Sequence, residues 1–455
     1  MGLFQKGEDL LLTIEDYTTE GNGVGHIQEG DGFEKGDPRI GFTVFVSNSL
    51  PGDRVLAEVF ECKKSYARAR LKKRIRPSSS RRKSPCPYAD ACGGCGLISW
   101  NYENQMEWKE KSILSSLNRL GGFSLDRIPM HGKETWGYRN KVNMRVDPWG
   151  NLAYSRPGTN KLFPVQECKI AQPEINRLIF SWNQAAKENP EFSSFSRLIR
   201  MVIIRANEEG ETMIHLITAP LSKVKRNALK SLLLPLEAEV LSRSETKGER
   251  DIRIFGPIFY GSPQKHLRQE ILGNTFFLSA PSFFQVNRFL TEALYQKAMD
   301  FFEDPEELTI LDLYCGIGTT SLALAKKVRQ VIGVEIIPSA ILNARESART
   351  NGIFNAAFLE GKAEDLLFHL IKDHEKENLA ILVDPPRKGL DPKVTAAIAS
   401  SGISQLVYIS CNPATLARDA KILKGGGYAL KKVEGFDLFP ETGHVETVCL
   451  MSKEG

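Results

Sequence analysis

No stretch of this chain approaches the roughly 20 consecutive apolar residues that span a bilayer. Its first ten residues, MGLFQKGEDL, lack the apolar core of a secretory signal. A soluble, cytoplasmic protein is expected, without a myristoyl anchor, because Lys6 stands where a Ser or Thr is needed. There is no internal repeat and no long low-complexity tract. Cysteines number eight in 455 residues, and in a cytoplasmic chain they do not predict disulfides. Acidic residues are missing from Lys63 to Lys83, a segment with eleven Lys or Arg. Such a block is an electrostatic footprint for phosphates. With Tyr66 and short polar residues interleaved it points to nucleic acid, although the net charge is only +5.

The length suggests two to four domains, and three are expected. Residues 1–73 read as a small β-barrel of the oligonucleotide-binding type. Leu10–Ile14, Gly41–Val46 and Arg54–Phe60 are strand-like, with glycine-rich corners at Gly21–Gly25 and near Gly52. Arg76–Ser80, with its Pro-Ser-Ser-Ser, reads as a linker. Residues 84–270 are mixed α+β, with an amphipathic helix over Gln105–Leu120 and an antiparallel pair at Leu198–Arg205 and Thr212–Thr218. Residues 271–455 alternate apolar strands with helical segments, the pattern of a mostly parallel, Rossmann-like α/β sheet. Tyr428–Met451 breaks that rhythm with two strands expected to run antiparallel.

Four sites in the last domain carry chemistry. Thr309–Thr319 is a strand running into a turn with Gly316 and Gly318, then a helix. The next strand, Gln330–Glu335, ends in an acid suited to ribose hydroxyls. The third glycine of a dinucleotide fingerprint is absent. Adenosine without a pyrophosphate fits better, and S-adenosylmethionine is the candidate cofactor. Leu379–Val383 runs into Asp384-Pro385-Pro386-Arg387, and Gln405–Ile409 into Ser410-Cys411-Asn412-Pro413. Gly443-His444-Val445-Glu446 opens a further strand. A thiol, a proline-stiffened acidic loop and a carboxylate suit covalent activation of a weak carbon nucleophile such as uracil carbon 5. Sulfur adds at carbon 6, carbon 5 attacks a methylsulfonium, and a base then removes the carbon 5 proton. Cys411 and Glu446 are the expected nucleophile and base. Asp384 is expected to bind either the base edge or the methyl donor's ammonium end.

Cys86, Cys92, Cys95 and the distant Cys168 form a second constellation, able to hold an iron–sulfur cluster or a zinc. Zinc sites usually show two close cysteine pairs, and only one is present. Cys62, Cys315 and Cys449 read as structural, and His444 as a loop-shaping residue. Tyr88, Trp100, Trp136 and Tyr138 are candidates for stacking on extruded bases.

Phe284-Gln-Val-Asn287, Asp312–Gly318, Asp384–Arg387, Ser410–Pro413 and His444–Glu446 together resemble, in order and spacing, the RNA 5-methyluridine (uracil-C5) methyltransferase family. The likeness covers nearly the whole chain. It implies that Gln285, Tyr314, Glu335 and Asp384 bind S-adenosylmethionine, that Cys411 is the nucleophile and that Glu446 is the base. The first 70 residues resemble the TRAM domain, an RNA-binding module. Gly137–Lys141 resembles a family segment near the target RNA. The cysteine spacing is similar to that of the ribosomal-RNA branch, which implies a [4Fe–4S] cluster on Cys86, Cys92, Cys95 and Cys168. The implied partner is 23S ribosomal RNA, with transfer RNA as the alternative, and the chain is expected to work as a monomer away from membranes. Cytosine methylation is disfavoured by Arg387, where those enzymes often carry a cysteine after the paired prolines. Amino-group methylation needs no thiol. A non-catalytic RNA-binding factor has no use for an intact Cys411, Asp384 and Glu446.

Overall fold

The computed structural model describes residues 3–246, 248, 257–374 and 378–453. No described helix is long and apolar enough to cross a membrane. The chain divides into two compact units, Met1–Lys109 with Phe439–His444, and Glu110–Leu438 with Val445–Gly455.

In the first unit, β1 (Asp9–Tyr17), β2 (Asn22–His26), β3 (Thr43–Ser47), β4 (Arg54–Cys62) and β5 (Tyr66–Arg76) close a barrel in the order β1-β2-β3-β5-β4. Strict alternation of side chains builds it. Leu10, Leu12 and Ile14 of β1, and Ala67 and Ala69 of β5, point into the core, while Arg68 and Arg70 point outward. The basic segment is therefore in large part a barrel strand with its cations on the outer surface. Gly23 and Gly25 are required by packing: a Cβ there would lie 2.2 Å from the Ser49 hydroxyl or 2.6 Å from Leu12.

The expected linker at Arg76–Ser80 is instead fastened to the barrel. Asp53, with no exposed surface, accepts from the Ser78 amide at 2.9 Å and from both guanidinium arms of Arg81 at 2.7 and 2.6 Å. Local composition signals a linker, but a carboxylate some 25 residues upstream captures the segment. Arg81 then forms an antiparallel bridge with Trp100.

The chain continues through α1 (Tyr102–Arg119) and β6 (Met130–His131). In the second unit, β7 (Lys141–Val146), β8 (Leu152–Ser155), β9 (Leu162–Pro164), β10 (Ile199–Ala206), β11 (Thr212–Thr218), β12 (Val240–Glu245) and β13 (Phe259–Tyr260) form a mixed sheet, ordered β13-β12-β11-β10-β7-β8-β9. The expected pair, β10 and β11, is antiparallel. Helices α2 (Pro173–Glu188), α3 (Pro190–Ser194) and α4 (Lys223–Leu233) accompany this sheet, and a hairpin, β14 (Leu267–Ile271) and β15 (Asn274–Leu278), follows it.

The last part comprises α5 (Thr291–Asp300), β16 (Thr309–Leu313), α6 (Thr319–Ala325), β17 (Gln330–Glu335), α7 (Pro338–Thr350), β18 (Ala356–Glu360), α8 (Ala363–Asp373), β19 (Leu379–Val383), α9 (Pro392–Ser401), β20 (Gln405–Ser410), α10 (Pro413–Gly425), β21 (Tyr428–Phe436) and β22 (Glu446–Lys453). The sheet order is β18-β17-β16-β19-β20-β22-β21-β6. The five strands from β18 to β20 are parallel, and β22 enters antiparallel beside β20 and β21. The continuous apolar runs of β16, β19 and β20 are buried along their length, as strands covered on both faces require. The expected Rossmann-like arrangement holds. Its order reverses between β16 and β19, which opens a crevice at the carboxyl ends of those strands.

Candidate active site

The crevice is built from strand ends. Tyr314 follows β16 in the left-handed region, φ 67°, a strained setting for a side chain of this size. Gly316 and Gly318, at φ 57° and 80°, complete the turn. A Cβ on Gly316 would meet nothing within 4 Å, so the turn faces open space, whereas one on Gly318 would strike the Phe358 ring at 2.9 Å. Glu335 at the end of β17 accepts from the amides of Gly316 (3.2 Å) and Ile337 (2.9 Å), which fixes its carboxylate at the rim of the turn. Beneath, buried Asp312 accepts from the hydroxyls of Thr320 (2.8 Å) and Ser321 (2.5 Å). Burial raises its carboxyl to about 6. Burial also pushes the Tyr314 phenol up to about 12.

The second half of the site comes from β19, β20 and β22. Ser410 pairs with Thr447 and Tyr408 with Cys449 in the antiparallel register. The ladder ends there, so Cys411 leaves β20 where Glu446 begins β22, and the two groups interact electrostatically. Ser410 holds the bend, its hydroxyl donating to the Asn412 carbonyl at 3.1 Å. The Asn412 side chain accepts from the Ala414 amide and caps α10. Cys411 thus precedes a helix amino end, where a thiolate is favoured. The Asp384 loop is tied down by Asp419, buried in α10, which accepts from the Leu390 amide (2.8 Å) and the Tyr408 hydroxyl (2.9 Å).

Electrostatics bind these groups together. Burial raises Cys411 to about 11, with Glu446 and Asp384 adding to the shift and Arg387 opposing it. Burial, then Asp312, raises Asp384 to about 7. Burial, then Asp384, lifts Glu446 well above the carboxylate range against the pull of Arg387. Glu446 is 2 % exposed and its Oε2 has no hydrogen-bond partner. All three shifts run toward the protonated form.

Gln285 reaches the same place on a segment pinned at both ends. Asn140 donates its side-chain amide to the Gln285 carbonyl (3.0 Å), and its backbone amide donates to Val286 (2.9 Å). Asn287 accepts from the amides of Phe289 and Leu290 ahead of α5. Sequence reasoning missed Tyr295. This buried phenol on α5 hydrogen-bonds Gln285, and burial followed by the charges of Asp384, Glu446 and Asp312 raises it. Its only signal in the sequence is a tyrosine on the apolar stripe of a helix.

Of the expected site residues, Cys411, Glu446 and Asp384 converge, and Tyr295 links Gln285 to them. Tyr314 and Glu335 line the neighbouring glycine turn. Cys86, Cys92 and Cys95 lie in the first unit and Cys168 in the second. All four are partly exposed. The donor type suits a cluster, but among the described residues no group of three or more His, Cys, Asp or Glu is gathered as metal ligands. Two expected stacking residues are unavailable: Tyr138 is wholly buried, and Trp100 packs in the core with its indole N–H donating to Ser80. Burial holds for Cys315 and Cys449, while Cys62 is partly exposed.

Residues 264–454 match the tRNA (Uracil-5-)-methyltransferase family, and residues 3–72 match the TRAM domain. An uncharacterized RNA methyltransferase of Bacillus cereus (strain ATCC 10987 / NRS 248) is 34 % identical over 466 residues, covering 99 % of this chain and 97 % of its own. One from Clostridium acetobutylicum is 31 % identical over 470 residues, with 99 % and 98 % covered. The crystal structure of Pyrococcus abyssi tRNA (uracil-54, C5)-methyltransferase in complex with S-adenosyl-L-homocysteine superposes with a TM-score of 0.75. It is 24 % identical, with 97 % of this chain and 99 % of that one covered, and so shares the fold. Likeness at this level along the whole length, together with a glycine turn and a thiol beside a carboxyl at the expected strand ends, leads to one assignment: the chain belongs to the RNA uracil-5 methyltransferase family, enzymes that use S-adenosylmethionine to methylate carbon 5 of uridine in RNA.

Proposed function

We propose that the chain methylates uridine in 23S ribosomal RNA through a covalent bond from Cys411, with Glu446 as the base. The observation that carries this reading is a thiol just past the end of β20 within electrostatic reach of a buried carboxyl at the start of β22 that has one oxygen unpartnered. The Cys411 sulfur, once ionised, adds to carbon 6 of the extruded uracil, and the ring becomes electron-rich at carbon 5. Arg387 and the amino end of α10 favour the thiolate, against the burial that opposes it. After methylation, Glu446 in its ionised form takes the proton from carbon 5 through Oε2. The electron pair of that C–H bond restores the ring double bond and expels the sulfur. Gln285, Tyr314, Glu335 and Asp384 are the residues that would hold S-adenosylmethionine. The glycine turn that faces open space and the carboxylate fixed at its rim fit an adenosine with a ribose. When bound, it supplies an electrophilic methyl group.

Residues 1–73 serve as the RNA-binding barrel, 84–270 as the central domain and 271–455 as the catalytic domain. The outward-facing cations of β5 support the first assignment. Cys86, Cys92, Cys95 and Cys168 are assigned a [4Fe–4S] cluster on their spacing in the sequence. Visible absorbance near 400 nm, with iron and sulfide in the anaerobically purified chain, tests it. Ribosomal RNA is favoured over transfer RNA by the union of this cysteine set with the barrel.

The deciding experiment uses 23S RNA transcribed with 5-fluorouridine, which blocks the final proton removal. The wild-type chain should form an adduct that survives denaturation, and Cys411→Ala should form none. An adduct retained by Cys411→Ala would exclude the covalent route. An adduct formed only with transfer RNA would move the substrate to that class.

A further inference from the structure

Outside the catalytic crevice, an exposed indole sits on a rigid turn. Between β7 and β8, Asp147 accepts from the amides of Trp149 and Asn151, both at 2.9 Å, and from the Asn151 side chain at 3.1 Å. The buried Trp182 indole donates to the Gly150 carbonyl at 2.9 Å. A Cβ on Gly150 would lie 2.9 Å from Ser193. Everything around Trp149 is locked, yet its own side chain is 73 % exposed. Tryptophan is usually largely covered, and the ordered backbone here spends nothing on covering it.

Behind the indole lies a cleft of about 520 Å³, lined by Trp149, Asn151, Gln166, Asn183, Gln184, Ala186 and Lys187. Asn183 is its floor, with both ends of its amide committed to backbone: it accepts from Leu152 and donates to Val165, each at 2.8 Å. The walls carry amides and one ammonium beside the indole and the Ala186 methyl, with no carboxylate. An apolar side chain of a protein partner would leave these amides and the ammonium without partners. A nucleobase finds a π-face to stack on, amides that both donate and accept along its edge, and a cation for its phosphate.

We infer that Trp149 and this cleft seat an unpaired base of the RNA, distinct from the base that is methylated. The inference rests on the RNA reading above. The seat lies on the central sheet, so it extends RNA recognition beyond the barrel and the crevice. The interior of a duplex cannot use it, because both faces of each base are already stacked and its Watson–Crick edge is paired.

The test uses the full chain and 23S transcript, with Trp149→Ala and Trp149→Phe. Part of the tryptophan emission of the wild type should be quenched as transcript is added. Trp149→Ala should lose that quench and raise the KM for transcript about tenfold, more than it lowers kcat. Trp149→Phe should lose the quench but recover most of the affinity, since a phenyl ring also stacks. Because the side chain is exposed, both variants should fold with wild-type circular dichroism. An unchanged KM and an equal quench in Trp149→Ala would overturn the seat. An alanine defect that phenylalanine does not repair would also overturn it, because stacking would not be the cause. The 5-fluorouridine adduct separates the two levels: an adduct without the Trp149 effects removes only the seat, whereas no adduct from the wild type removes the RNA reading with it.

Discussion

Asp53 in the barrel and Glu446 in the crevice are both carboxyls removed from solvent, and the chain treats them in opposite ways. Burial pushes Asp53 up, but hydrogen bonds from Arg81, Ser78 and Leu50 and the Arg81 charge outweigh it, so the group stays below the usual carboxylate range. Both of its oxygens are spoken for. Glu446 has no such ring of donors. It faces Asp384 and a thiol, with Arg387 the opposing cation, and one of its oxygens is unpartnered. The first arrangement maximises satisfaction and fastens a segment. The second keeps a proton-binding group in reserve where a substrate will arrive. A buried acid left with unmet hydrogen-bonding capacity beside a nucleophile marks chemistry, and a fully satisfied one marks architecture.

The sharpest way to break this contrast is Glu446→Gln. Methyl turnover should fall on the order of 10² to 10⁴-fold, while a denaturation-stable protein–RNA adduct accumulates from unmodified uridine, since addition of sulfur does not need the base. Equal turnover would make Glu446 architectural after all. Asp53→Ala should act on the other side of the comparison. It strands the Arg81 guanidinium and should cost about 3–5 kcal/mol in chemical denaturation, with the methyl-transfer rate per folded molecule preserved.

Asp384→Asn probes the protons held in reserve. A folded-state value raised to about 7 from 3.8 means that the stability contributed by the protonated form is complete below about pH 4 and disappears as pH rises through 7. The asparagine variant should therefore gain a few kcal/mol over wild type at pH 8 and much less at pH 4, read as the difference in Tm between the two conditions. A gain independent of pH would disconnect the effect from titration. Tyr295→Phe should lower kcat about tenfold by releasing Gln285, and the loss should not add to that of Gln285→Ala in a double-mutant cycle. The smallest effect is expected in the Cys411 thiol. With the Glu446 charge removed, the midpoint of its alkylation by iodoacetamide should move below the wild-type value of about 11, by roughly one pH unit.

Much of the catalytic domain was legible because buried parallel strands are written as unbroken apolar words. Leu379–Val383 and Gln405–Ile409 are examples, and the candidate site residues sit within two positions of the end of each. Cys411, Asp384 and Glu335 could be placed from that punctuation alone. What escaped depends on partners distant along the chain. Asp53 captures Ser78 and Arg81, so a serine-rich stretch that reads as a linker is part of the barrel. Asp419 holds the Asp384 loop from a helix further on. Tyr295 is indistinguishable from an ordinary core residue until the strands that surround it are assembled. Aromatic identity also says nothing about exposure: Trp100 and Tyr138 looked available and are buried, while Trp149 stands in solvent.

The pairing of Ser410 with Thr447 has a practical corollary for anyone wishing to retarget the enzyme. Both groups stand at the end of one ladder of main-chain hydrogen bonds, with the sulfur one residue past its last pair. A slip by a single step would turn Glu446 to the far face of the sheet, so the pair is either intact or absent, with no half-aligned intermediate to select. Grafts that recognise a different transcript can therefore be traded at the periphery while the reactive spacing stays constant.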